Sequence, residues 1–163
     1  MVRFEFDKET TLTAIELIKR NIPNITRHGV AKLLYFADKM HLEKYGTPIT
    51  GDIYLAMDYG PVPQHVYSWI QENAGNKGRS VPSAAFDMGN LSESELKVLG
   101  QVINRYKKEW ADFSERTSAS HDAAWHKARR RNPSSRGPTM RWDDIIDTLP
   151  NAEDVKRYLR YID

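Results

Sequence analysis

The residues best suited to chemistry lie late in the chain. His121-Asp122 stands ahead of Arg129, Arg130 and Arg131, and a histidine base near arginines is the equipment of phosphoryl transfer or nuclease chemistry. The other parts of such a site are missing. The sequence has no Gly-rich phosphate loop, no paired carboxylates bracketing the cluster and no activated serine motif. Asp143-Asp144 reads instead as the first turn of a helix, where negative charge suits the dipole. A metal is served no better. His121 and His126 are five residues apart around Trp125, not the four that set two ligands on one helical face. His28, His41 and His65 stand singly, with no HExxH or DxD pattern beside them. These residues imply neither catalysis nor a metal or other cofactor.

Binding is the better reading. Lys127, Arg129, Arg130, Arg131, Arg136 and Arg141 form a run of six basic residues with no acid among them, flanked by Trp125 and Trp142. Arginines on phosphate and aromatics on bases would suit nucleic acid. An acidic protein face would suit the arginines equally, and a basic run this short is as well explained as a solvated loop. Against nucleic acid, the formal charge of the whole chain is only +2, and no helix-turn-helix or ribbon signature is present. A second candidate is Tyr59-Gly60-Pro61-Val62-Pro63. Gly60 permits a turn where a side chain would clash, and Pro61 and Pro63 stiffen it. With Tyr67 and Trp69 it offers aromatic surface, most of it structural and part of it available to a partner.

The elements that must position these residues can be read from periodicity and caps. Leu12, Ile15, Leu17 and Ile18 predict a first helix capped by Asp7 or Thr10 and stopped by Pro23. Thr26 caps a second helix, with Val30, Leu33, Leu34, Ala37 and Met40 on its apolar face, that runs to Tyr45 and ends at Gly46. Residues 51–57 alternate as a short strand, and 81–86 are expected to pair with it across a loop at 75–90. Pro63 is expected as the first residue of a helix reaching Ile70. Ser92 and Glu95 have capping-box spacing and open a helix through Tyr106 to Trp110. Further helices are expected after Ala111 and Asp122, with a break at 132–138, and Asn151 is expected to cap the last one. The predicted fold is mainly α (α+β): six or seven helices packed around a short two- or three-stranded antiparallel sheet.

Composition narrows the class. At 163 residues the chain has the size of one domain. It has no cysteine, which excludes disulfides and thiolate zinc sites and suits a reducing cytoplasm. No apolar run approaches the length of a membrane span or an export signal, so a soluble, cytoplasmic protein without a membrane partner is expected.

At residues 32–70 the pattern becomes specific. KLLYFADKMHLEKYGTPI, a short strand, then MDYGPVPQHVYSWI resembles the Panacea, or SocA-like, antitoxin domain. Lys32, Leu33, Leu34, Tyr35, Ala37, Tyr45, Gly46, Tyr59, Gly60, Pro61, Val62, Val66 and Tyr67 carry the likeness. Ala56-Met57 stands where the family often has Ala-Trp, and Pro63 follows Val62 directly, one residue tighter than the family turn. Ser120-His121 with Trp125, and Met140 to Ile146, resemble later family segments more loosely. The resemblance implies a single domain over 1–163, with no room for an appended DNA-binding module. It further implies an antitoxin, bacterial or phage-encoded, that neutralises a cognate protein toxin by direct contact and needs no catalytic residue. The expected contact face is Tyr59, Pro61, Val62 and Trp69, with Arg129, Arg130 and Arg131 steering an acidic partner. The alternatives are a nucleic-acid-binding regulator and a proteolytic or host-interaction adaptor.

Overall fold

The computed structural model describes residues 1–75 and 78–163, so Asn76 and Lys77 of the predicted 75–90 loop lie outside the described residues. Its organising element is helix α2 (Arg27–Tyr45), which follows α1 (Lys8–Asn21). Asp7, not Thr10, caps α1, its side chain accepting from Thr10 N. Thr26 caps α2 by accepting from Gly29 N, and Gly46 ends it at φ 80°. Glycine is required at that end twice over, because a Cβ there would also strike the Tyr158 ring.

After α2 come β1 (Tyr54–Met57) and β2 (Gly60–Pro63), an antiparallel hairpin with Met57 opposite Gly60 and Tyr54 opposite Pro63. The partner of the first strand is therefore 60–63 and not the expected 81–86. Prolines are tolerated in β2 because the residues opposite them turn their backbone groups the other way. Ala56 N–H donates to Pro138 O and Tyr54 O accepts from Met140 N, so the missing proline N–H groups leave nothing unpaired. Residues 138–140 thus take the edge position expected of 81–86, through a lone bridge between Leu55 and Thr139. The 81–86 segment instead lies across α1, with Val81 buried and the Arg20 guanidinium 3.8 Å from the Phe86 ring centroid.

Helix α3 (Gln64–Ala74) starts one residue later than expected, with Pro63 ending the strand. Proline offers no side-chain cap. The carboxylate of buried Asp52 supplies one, accepting from His65 N at 3.0 Å and Val66 N at 3.1 Å. Helix α4 (Glu93–Arg105) opens on the Ser92–Glu95 capping box and widens into a π turn at Tyr106–Trp110. Four further helices follow: α5 (Phe113–Ser120), α6 (Ala123–Arg131), α7 (Trp142–Asp147) and α8 (Ala152–Ile162). The described residues thus form eight α-helices and a two-stranded sheet, against the six or seven helices expected. Asn151 does not cap α8 with its side chain; it donates to Glu43 O at 2.8 Å and ties the last helix to the end of α2.

Two apolar clusters lie along α2. Val30, Leu33, Leu34 and Ala37 pack with α1, α3 and α4, while Tyr35 and Leu42 pack with the hairpin and α6 to α8. Asp38, fully buried among them, accepts from Ile49 N, Thr50 N and the Tyr54 hydroxyl, which holds the start of β1 against α2. No helix of the described residues is long and apolar enough to cross a membrane.

Candidate partner-binding face

The hairpin turn carries Tyr59, which is 63% exposed. Its neighbour Gly60 has φ 111°, a conformation side chains resist. A Cβ at Gly60 would collide with Ser120 Oγ and lie 2.7 Å from Lys32 Cε. The absence of a side chain is thus what lets α2 and α5 close on the turn. From α2, the buried Lys32 ammonium donates to Pro61 O at 2.7 Å. From one turn earlier, His28 Nε2 lies 3.2 Å from Tyr59 O. Two carbonyls of the turn region, those of Tyr59 and Pro61, are held from the same helix.

His28 is itself oriented by α5. Arg116 Nε donates to His28 Nδ1 at 2.7 Å, so the neutral ring carries its proton on Nε2, toward Tyr59 O and Thr117 Oγ1. Burial, with Lys32 and then Arg116 nearby, lowers the His28 pKa to about 4. Burial, followed by the charge of Arg116, lowers that of Lys32 to about 7. Arg116 is buried, and its Nη1 donates to Ala111 O at 2.7 Å. Neither Lys32 nor Arg116 has a carboxylate within ion-pair distance among the described residues. Two buried cations are rarely left so.

Beside Tyr59 lies a groove of about 300 Å³, lined by Lys32 together with Met57, Val62, Val66, Tyr67 and Ile70. Phe113 meets the Tyr59 ring edge-on at 5.5 Å and stacks on His28 at 4.1 Å. There Arg27, Arg79 and Arg116 line a second cleft of about 550 Å³. Exposed aromatic rings beside two clefts, one apolar and one cationic, form a face with the character of a protein-binding surface.

A family description, "Antitoxin SocA-like, Panacea domain", matches residues 30–126. This chain belongs to that family. No curated protein and no solved structure matches it. The match to the Panacea domain runs from α2 to the first turn of α6, so it includes Lys32, the hairpin, α3 and the α5 segment that closes on Gly60. Helix α1 and helices α7 and α8 lie outside it and complete the two apolar clusters.

The other sequence-derived residues of this Panacea chain are placed as follows. Tyr59, Val62 and Tyr67 come together around the groove. Pro61 is buried, and its carbonyl is used by Lys32. Trp69 is half-buried on another face of α3, beside Phe6 and Leu12. Arg129 donates to Ala56 O at 2.9 Å and to Asp58 Oδ1 at 3.0 Å, over the Trp125 ring, so it clamps the hairpin and does not stand free. Arg131 pairs with Asp144. Arg130 is exposed and without an ion pair among the described residues. His121 stacks on Trp125 at 3.8 Å, and Trp125 Nε1 donates to Met57 O. Asp122 turns away from the arginines: it caps α6 and accepts from the Tyr35 hydroxyl at 2.6 Å and Lys39 at 2.9 Å. His121, Asp122 and the arginines therefore do not converge on one site. Leu33 and Tyr35 are core residues of α2.

Sequence reasoning missed His28, Arg116 and Phe113 as parts of this face. Lys32 had a visible signal, since it is the one charged residue between His28 and Asp38 in an otherwise apolar stretch. Arg116 had none.

Proposed function

We propose that this chain is the antitoxin of a toxin–antitoxin pair, acting in the cytoplasm as a single domain over residues 1–163. It neutralises a cognate protein toxin by direct contact through the face around Tyr59. The observation that carries this reading is the exposed Tyr59 on a turn held from behind by Lys32, His28 and the Gly60 contact. A preformed aromatic anchor loses little freedom on binding, and such anchors dominate interface energies. Binding of this kind requires no catalytic residue, metal or other cofactor. A nucleic-acid partner is less well supported, because Arg129 and Arg131 of the basic run are already occupied by acids.

The test is co-expression with the product of the adjacent gene, scoring growth and co-purification. The parent chain is expected to restore growth and to carry the toxin through purification. Tyr59→Ala and Phe113→Ala, both at exposed positions, should melt like the parent and release the toxin at least about tenfold faster. Full protection and unchanged dissociation in the double variant would move the contact face elsewhere. Failure of the parent to protect would remove the antitoxin reading itself.

A further inference from the structure

Lys32 is the least expected group in the molecule. An ammonium has three N–H donors, and here Pro61 O takes one. The residue is 1% exposed, yet it is among those that line a mostly apolar groove. Asp58, the acid that lines this groove, is engaged by Arg129. A buried ammonium with one protein acceptor and no carboxylate beside it, among the residues that line an apolar groove, is complementary to an anion carried on an apolar body. Arg136, which also lines the groove, adds to the same sign. A volume of about 300 Å³ is small for a nucleotide or cofactor and suits one or two side chains.

We propose that this groove is the anchor site for an acidic-apolar segment of the toxin, whose carboxylate sits on the Lys32 ammonium while the neighbouring apolar side chain lies between Val62, Tyr67 and Ile70. This rests on the antitoxin reading for the identity of the partner, but the groove's chemistry can be tested without any toxin. The carboxylate completes an ion pair that the free protein lacks, and the Tyr59 turn, bound to the same ammonium through Pro61 O, is tightened by the same event.

The first experiment titrates 3-phenylpropionate and, separately, 3-phenylpropionamide into the ¹⁵N-labelled full chain. The acid is expected to shift the Met57, Val62 and Tyr67 amide signals saturably below about 10 mM, the strength expected of so few atoms. The amide should bind about tenfold more weakly at pH 6. Raising the pH from 6 to 8 takes Lys32 through its pKa of about 7 and should weaken the acid about tenfold. The groups facing Lys32 do not share that window. His28 on its own helix, with a pKa of about 4, stays neutral, and burial lowers the pKa of His121 as well. Arg116 from α5 stays charged, Ser120 does not titrate, and the hairpin contributes backbone and the paired Asp58. Lys32→Met should bind acid and amide alike, with no pH dependence. If Lys32→Met does not fold, Tyr67→Glu at the groove wall should abolish acid binding at an exposed position. Equal affinity of acid and amide in the parent, shifts confined to other residues, or no saturable shift would overturn the proposal.

The second arm uses the purified toxin complex, in which 3-phenylpropionate should no longer shift the groove signals. If the acid binds the complex as it binds the free chain, the toxin does not occupy the groove. The anchor proposal then fails, while restored growth on co-expression would leave the antitoxin reading intact.

Discussion

Around the Tyr59 turn, Lys32 and Arg116 lie buried with no carboxylate beside them; in the run from Lys127 to Arg131, by contrast, three of four cations face an acid. Arg129 meets Asp58, and Arg131 and Lys127 share Asp144. The region that is densely charged in sequence is therefore largely neutralised in space, and the region that looks apolar in sequence holds two basic groups with no acid beside them. The difference follows from solvation. Surface arginines on a short helix can reach acids on a neighbouring element at little cost, whereas Lys32 and Arg116 are fixed inside by the packing of α2 against α5. A charge held where water cannot reach it has a stronger pull on an incoming partner than several charges already paired.

The comparison breaks most readily at Lys32. Its pKa falls from about 10.5 to about 7 on folding, so between these values the unfolded chain holds the proton and the folded chain does not. The penalty for burying the charge is complete below pH 7 and disappears as pH rises through the unfolded value. Stability relative to Lys32→Met should therefore rise by roughly 3 kcal/mol between pH 7 and 10, read by urea denaturation of both proteins. A pH-independent difference would show that Lys32 is not confined as a cation.

Next in size is Gly60→Ala. A positive φ of 111° and the contacts with Ser120 and Lys32 should together cost at least about 2 kcal/mol. An unchanged thermal melt would mean that the turn is not held from behind and that Tyr59 is not preformed.

The smallest effects separate the members of the basic run. Arg129→Ala loses two hydrogen bonds and the Trp125 contact and should cost about 1 kcal/mol. Arg130→Ala, with no ion pair to lose, should stay within about 0.5 kcal/mol. If the two variants melt alike, the clamp on the hairpin carries no weight. If Arg130→Ala alone slows association with the toxin, Arg130 is the steering charge of the run.

Much of the scaffold was legible because its signals are local. Thr26 and Gly46 bound α2, Ser92 with Glu95 opens α4, and Asp122 opens α6, each through bonds within a few residues. The strand partner was misread because two prolines at 61 and 63 argue against a strand, and only the use of Ala56 and Tyr54 by residues 138–140 makes them acceptable. Asn151 has the chemistry of a cap, but the end of α2 lies near enough to claim its amide. At the candidate face, Tyr59, Val62 and Tyr67 were visible as an aromatic turn and its neighbours, while Trp69 shares the helix of Tyr67 and faces another way.

By itself, then, the sequence determined which helices form, where the glycine-proline turn falls and which family the chain resembles, since caps, periodicity and backbone restriction act over a few residues. Only the tertiary structure decided which charges are spent and which remain. Lys32 and Arg116 are 84 positions apart, and their shared burial beside His28 comes from the closing of α2 and α5 on a glycine that leaves room for both. Electrostatic character depends on distance and desolvation in space, and neither is a property of neighbours along a chain.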